Sequence, residues 1–149
     1  MNAKDQLEEA LSLKLFVVLT RAVESIKKRV IEDIKCLGLN PTEFAVLEFI
    51  YSKGDQPIQK IGEKVLIASS SITYVVDQLE KKNLLMRKPC PNDRRVTHAA
   101  LTFEGTELMN KVFPEHKKAM KEIFSGLGVI EKQELIEQLK RIGLHDQNL

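Results

Sequence analysis

Residues 89–105, with the sequence PCPNDRRVTHAALTFEG, contain the most informative pattern in this 149-residue chain. The Pro-Asn-Asp run at 91–93 is typical of a tight turn, because Pro fixes φ and Asn and Asp tolerate tight backbone geometry. We therefore predict a hairpin whose strands span 84–89 and 96–101. Thr102 follows the second strand, and threonine is a common cap at the start of a helix.

Two arginines, Arg94 and Arg95, stand at the predicted tip of this hairpin. A guanidinium is always charged and presents a rigid fork of donors. Such a tip is suited to a phosphate backbone or to the narrow minor groove of DNA. We therefore expect nucleic acid as the partner.

The residues before the hairpin predict three helices. Asn40-Pro41-Thr42-Glu43 is typical of a helix start, with a cap, a proline at the first position and a glutamate at the third. A short helix over 57–65, a turn at 66–68 and a helix over 69–82 follow. A short helix, a turn, a second helix and a hairpin are the order of elements in a winged helix-turn-helix. The predicted fold class is therefore mainly α with a β-hairpin wing.

Long helices are predicted on both sides of this segment. The first spans 6–37 and ends at Gly38, since glycine takes the left-handed C-cap conformation at low cost. Its apolar residues cover much of its circumference, which favours burial against a partner subunit. After the wing, a helix begins at Thr102 and contains Pro114, which should kink it. A final helix spans 131–142.

Composition and charge agree with a DNA-binding protein. Hydrophobic residues make up 43% and charged residues 30% of the chain, as in a globular protein with a core. Residues 56–100 carry eight basic and four acidic side chains, a net charge of +4, whereas the rest of the chain carries −2. The basic excess therefore coincides with the predicted helix-turn-helix and wing. A mixed, solvated surface is the alternative.

Other functional classes find little support. No apolar run approaches the ~20 residues that span a bilayer, no signal peptide is evident, and the expected location is the cytoplasm. The chain shows no nucleophile–base pair, phosphate-binding loop or metal-ligand spacing, so we expect neither an enzyme nor a bound cofactor or metal.

The outer face of the helix over 69–82 is small and polar. Hydroxyl groups at its start permit close approach to phosphates, and hydroxyl and amide groups further along can reach base edges. The alternative is that the serines only cap the helix, but the adjacent arginine hairpin favours DNA. The candidate DNA-binding residues of this face are Ser69, Ser70, Ser71, Thr73, Tyr74 and Gln78, and Asp77 is predicted to lie there too.

Four segments together resemble the MarR family of bacterial transcription regulators, and the resemblance covers nearly the whole chain. They are Ile61–Glu80, Lys82–Leu85, Asn92–Arg95 and Leu101–Gly105. The resemblance implies a single domain over 1–149 that forms a homodimer and binds double-stranded DNA.

The resemblance also assigns roles within that domain. Residues 6–37 and 103–149 would be dimerisation helices, and 40–101 the winged helix-turn-helix. Arg95 would enter the minor groove, Asp93 would hold it in position, and Arg94 would meet a phosphate.

Two positions depart from the family pattern. Ala68 stands where the family often has a serine cap, so capping would move to Ser69. Asn83 stands where the family usually has glycine, but asparagine also tolerates the left-handed conformation.

The resemblance also indicates which kind of molecule the regulator would respond to. The helix over 69–82 and the wing look most like the subgroup that answers quinones and related phenolics, which implies a repressor released by a small aromatic effector. By family position, the candidate pocket residues are Phe16, Arg21, Phe44 and Leu47.

Two alternatives remain open. Cys90 lies among basic residues, which favour the reactive thiolate, so oxidation of Cys90 or Cys36 could be the signal instead. The other alternative is a winged helix used as a protein-interaction module, which would have no need of arginines in the turn.

Overall fold

The computed structural model describes residues 2–65 and 69–143, and within these residues it contains six α-helices and one small sheet. The chain forms two compact units, Met1–Pro114 and Glu115–Leu149, and one helix passes from the first into the second. The helices are α1 (Ala3–Ile34), α2 (Pro41–Lys53), α3 (Ile58–Lys64), α4 (Ser69–Lys81), α5 (Phe103–Ile123) and α6 (Val129–Gly143). The strands are β1 (Gln56–Pro57), β2 (Leu85–Pro89) and β3 (Thr97–Leu101).

The core of the first unit gathers apolar side chains from α2, α3, α4, the sheet and the beginning of α5. Helix α4 contributes residues three and four apart, as the 3.6-residue period of a helix requires. The fully buried side chains include Val46, Leu47, Ile61, Ile72, Val76, Leu79 and Met109. The opposite side of α4 is thereby left outside the core.

The sheet has three antiparallel strands in the order β1-β3-β2. The hairpin β2–β3 pairs from Leu85 with Leu101 to Pro89 with Thr97, which confirms the predicted wing. Strand β1 was not predicted: Gln56 pairs with Ala99 at the other edge of β3. Two residues are too few to display a strand period, and the proline in the pair would argue against a central strand but is tolerated at an edge.

The predicted start and stop signals are confirmed at several helix ends. Asn40 and Glu43 form a reciprocal capping box at the start of α2, and Gly38 adopts φ 70° after a short 3₁₀ turn over Lys35–Leu37. Helix α1 begins at Ala3, three residues earlier than predicted, because Asn2 provides a further capping box. The predicted turn at 66–68 and the cap of α4 lie outside the described residues.

Helix α1 buries little within its own chain. Ile34 is its buried residue, and large apolar side chains lie exposed along the rest of its length. The exposed ones are Leu7, Leu11, Leu13, Leu15, Phe16, Val17, Val18, Val23 and Ile31. No helix among the described residues has the length and apolar character that crossing a membrane would take.

Candidate nucleic-acid interface

Helix α4 presents a polar face beside the wing. Ser71, Thr73 and Tyr74 are exposed, and Gln78 is half-buried on the same helix. Ser69 and Ser70 are the first two residues of α4, but their side chains lie outside the described part of the chain. The three exposed side chains supply hydroxyl groups to any partner that approaches this face.

A tight turn ends α4 and starts the wing. Asn83 adopts the left-handed conformation with φ 63°, which confirms the expected tolerance of asparagine at this position. Its N–H donates to the carbonyl of Glu80 at 2.9 Å, and the N–H of Leu84 donates to that of Leu79 at 3.0 Å. These two bonds form a Schellman motif, so only three residues separate the end of α4 from β2.

The start of α5 is locked onto the same turn. The Thr102 backbone N–H donates to the Leu84 carbonyl at 3.1 Å, and its hydroxyl donates to the Asn83 carbonyl at 2.6 Å. The hydroxyl also accepts from the N–H of Gly105 at 2.9 Å, which confirms Thr102 as the helix cap. A Cβ atom at position 105 would lie 2.1 Å from the Leu84 carbonyl oxygen, so this close approach requires glycine.

The wing tip holds an arginine against a carboxylate. Its loop is closed by hydrogen bonds from Cys90 N–H to the Val96 carbonyl at 2.9 Å and from Val96 N–H to the Asp93 carbonyl at 3.0 Å. The Asp93 carboxylate accepts from the Arg95 backbone N–H at 3.0 Å and from its Nε at 3.2 Å. These bonds lower the pKa of Asp93, the side-chain bond most. Arg95 is nevertheless 91% exposed and available to a partner, and Arg94 beside it is also exposed.

A groove of about 830 Å³ runs between α3, α4 and the wing. Thr73 contributes from α4, and Arg87 and Arg95 contribute from the wing. The lining residues are Pro57, Ile58, Gln59, Lys60, Glu63, Lys64, Thr73, Arg87, Arg95, Val96 and Thr97. Four of these carry positive charge and one carries negative charge, so the groove favours a polyanion.

Arg87 connects the wing to α4, a contact that sequence reasoning did not find. Its Nη2 lies 2.7 Å from Asp77 Oδ1, and its Nη1 pairs with Glu80. Asp77 was predicted on the outer face and is half-exposed, but its carboxylate is occupied by this pair. The partners are seven and ten residues apart on different elements, a spacing that matches no helical or hairpin pattern.

A second ion pair connects the end of α4 to the start of α2. Lys82 Nζ lies 2.8 Å from one carboxylate oxygen of Glu43 and 3.0 Å from the other, and it donates to the Gly38 carbonyl at 2.9 Å. Glu43 is only 3% exposed. This pair joins the residue that follows α4 to the buried first turn of α2.

The candidate effector residues differ in their exposure to solvent. Phe16 and Arg21 are exposed on α1, whereas Phe44 and Leu47 are buried in the core between α2 and its neighbours. Their role in binding an effector stays a prediction.

Both cysteines lie within the described residues and are not joined in a disulfide. Cys36 is exposed and Cys90 half-buried, and both thiols are free. Within residues 2–65 and 69–143, no three His, Cys, Asp or Glu side chains converge as a metal site would require.

These features define a winged helix-turn-helix transcription regulator. The model of the MarR family matches residues 39–97. The HTH-type transcriptional regulator MhqR of Bacillus subtilis (strain 168) is 55% identical over 134 residues, which are 90% of this chain and 92% of that protein. The transcriptional repressor MprA of Escherichia coli (strain K12) is 30% identical over 84% of this chain and 74% of that protein. The chain therefore belongs to the MarR family of transcriptional regulators.

Solved structures support the fold independently of sequence. A cysteine-to-serine mutant of MarR from E. coli, complexed with operator DNA, matches with a TM-score of 0.77 over 96% of this chain and 99% of that chain. The sequence identity is 18%, so this likeness concerns the fold alone. Family and fold together identify a transcriptional regulator and not an enzyme.

Proposed function

We propose that this regulator is a homodimeric repressor in the cytoplasm that binds a pseudo-palindromic operator and leaves it when a small phenolic or quinone-like effector binds. The observation that carries the proposal is the exposed guanidinium of Arg95, held by Asp93 at the wing tip across a basic groove from α4. A held guanidinium loses less conformational entropy when it enters a groove of DNA.

In this proposal α4 enters the major groove and the wing reaches the adjacent minor groove. The hydroxyl and amide groups of α4 contact phosphates and base edges. These contacts come from Ser69, Ser70, Ser71, Thr73, Tyr74 and Gln78. Arg95 enters the narrow minor groove, where the negative potential is strongest, and Arg94 pairs with a phosphate.

Dimerisation is supported by the apolar surface of α1. Nine large apolar side chains exposed along one helix are more than scattered surface residues would account for. Helix α6 of the second unit also exposes apolar side chains, among them Val129, Ile130 and Ile136. A two-fold dimer through these helices would place two α4 helices on half-sites roughly 34–36 Å apart.

Effector binding would act by shifting a population between conformations that do and do not bind DNA. Phe16, Arg21, Phe44 and Leu47 are the proposed contacts, the arginine for an anionic oxygen and the others for an aromatic ring. Since Phe44 and Leu47 are packed in the core, an effector that reaches them must displace neighbouring side chains. That displacement supplies a reason why binding would change the arrangement of α2 and α4.

Fluorescence anisotropy with DNA from the region upstream of the gene, at several salt concentrations, tests the DNA part of the proposal. Tight binding that weakens steeply with salt is expected from phosphate contacts. Arg95→Ala should cost about 1–3 kcal/mol of operator binding, which is roughly 5- to 150-fold in Kd. Lys27→Ala removes the same charge from α1 and serves as the matched control. Equal affinities for the two variants would refute the wing assignment.

Addition of a quinone to the complex tests the effector. Release from the operator is expected from the wild-type protein and from Cys90→Ser and Cys36→Ser alike. Loss of the response in either cysteine variant would instead support modification of that thiol as the signal. If the protein prefers no DNA fragment in a genome-wide selection, the interaction-module alternative replaces the proposal.

A further inference from the structure

We propose that Arg87 is a positioning residue for operator recognition: it holds strand β2 of the wing against α4, so that both elements meet the DNA in a fixed relative orientation. The inference rests on the proposed DNA-binding function and deepens it. Arg87 itself belongs to neither of the two surfaces expected to contact bases, which are the outer face of α4 and the wing tip.

The geometry is that of a clamp between two elements. Arg87 uses separate guanidinium nitrogens for its two partners, Nη2 for Asp77 at 2.7 Å and Nη1 for Glu80. The two carboxylates are three residues apart on α4, so they lie on one face of the helix. The planar fork of arginine suits two acceptors at once, whereas a lysine ammonium is a point charge without this geometry.

The partial burial of the three charged side chains strengthens the ion pairs between the wing and α4. The side chains of Arg87, Asp77 and Glu80 are 32%, 48% and 33% exposed. Charges that are partly removed from water are screened less by salt than surface charges. The pair of Arg87 with Glu80, each about one third exposed, is therefore screened less than a fully exposed pair, whereas the half-exposed Asp77 contributes less.

The clamp also reduces the negative charge that α4 carries near the proposed DNA-binding surface. Two carboxylates on a helix that approaches DNA would repel its phosphates. Arg87 lines the basic groove together with Thr73 and Arg95, and it neutralises one of these two negative charges. Without Arg87, the two carboxylates would no longer hold the wing strand against α4.

A direct contact between Arg87 and a phosphate is the competing explanation. A phosphate contact supports binding to any sequence, and its loss lowers the salt slope of binding by about one. A positioning residue affects the preference for the operator, leaves the salt slope unchanged, and depends on its carboxylate partners. The two explanations therefore differ in three measurable quantities.

The experiment measures Kd for the upstream duplex that the wild-type protein prefers and for a scrambled duplex of the same composition. Arg87→Gln is made in the wild-type background and in the Asp77→Asn/Glu80→Gln background, with Lys88→Gln on the same strand as the matched control. We expect Arg87→Gln to lower the ratio of the two affinities about tenfold in the first background and less than about twofold in the second. The control should leave the ratio within about twofold of the wild-type value.

Arg87→Lys keeps the positive charge and provides a second test in case Arg87→Gln does not fold. It should lose most of the preference for the operator while keeping the wild-type salt slope. An equal loss in both backgrounds with a reduced slope would overturn the inference in favour of a phosphate contact, and an unchanged ratio would overturn it outright. If the wild-type protein bound both duplexes equally, the proposed DNA-binding function would be refuted. If the wild-type protein preferred the upstream duplex and the Arg87 variants kept that preference, only the clamp would be refuted.

Discussion

Replacing Lys82 with methionine should lower the free energy of unfolding by about 2 kcal/mol. The Glu43 side chain is 5% exposed, and its carboxylate accepts from Lys82 Nζ through both oxygens, at 2.8 and 3.0 Å. Methionine keeps most of the apolar stem of lysine but removes the cation and its three donors. The substitution therefore leaves a buried carboxylate without its counter-charge.

The magnitude follows from the burial of the two partners. Removing one member of a fully buried ion pair costs about 3–5 kcal/mol. The Lys82 side chain is 38% exposed, so water can approach the carboxylate from that side and part of the cost is recovered. Glu43 also keeps its hydrogen bond from the Asn40 N–H at 3.0 Å. A value near that of one charged hydrogen bond, about 2 kcal/mol, remains.

Urea unfolding followed by circular dichroism measures this loss as a shift of the midpoint at constant slope. Protein concentration is held fixed, because dimerisation would couple to stability. Lys81→Met, at the exposed neighbouring position, is the matched control and should change stability by less than about 0.5 kcal/mol. Equal midpoints for Lys82→Met and Lys81→Met would refute the argument that the pair anchors α4.

Three further substitutions test the turn and the wing. Gly105→Ala should destabilise the protein by about 1–3 kcal/mol in urea unfolding, since its Cβ would lie 2.1 Å from the Leu84 carbonyl oxygen; an unchanged midpoint would contradict that close approach. Asn83→Ala should cost about 1–2 kcal/mol and Asn83→Gly much less, because φ is 63° at this position; thermal unfolding of the two variants should rank them in that order. In an NMR titration, Arg95→Ala should return the pKa of Asp93 from its lowered value towards 3.8. The pKa of Asp93 is lower in the folded protein than in the unfolded chain. The stabilisation from this pair is therefore present above pH 3.8 and is lost as the pH falls through the lowered pKa. The same Asp93 pKa in the wild-type protein and in Arg95→Ala would refute the pairing.

Local signals in the chain were sufficient for most of the helices and for the hairpin. The capping box of Asn40 and Glu43, the left-handed Gly38 and the Thr102 cap each act within three or four residues, so their residue types alone predict them. The buried face of α4 follows from helical periodicity, which is also a local property. The proximity of Asp93 and Arg95 at the wing tip is local for the same reason.

Contacts between distant elements could not be predicted in this way. Strand β1 exists because the edge of β3 offers hydrogen-bonding groups to Gln56, and two residues carry no periodic pattern of their own. The pairs of Arg87 and Lys82 join residues seven to 39 positions apart. Charge alone does not indicate which of several carboxylates a basic side chain will contact.

The amino-acid sequence by itself determined the class of this protein, a winged helix-turn-helix with a basic wing, because caps, turn residues and apolar periodicity act over a few residues. Only the tertiary structure decided how the wing is held against α4 and how α4 is held on the core. In the folded chain, Arg87 and Lys82 lie 2.7 and 2.8 Å from carboxylates that belong to other elements. Such contacts are set by the packing of whole elements, and packing is a property of the assembled core and not of any short segment.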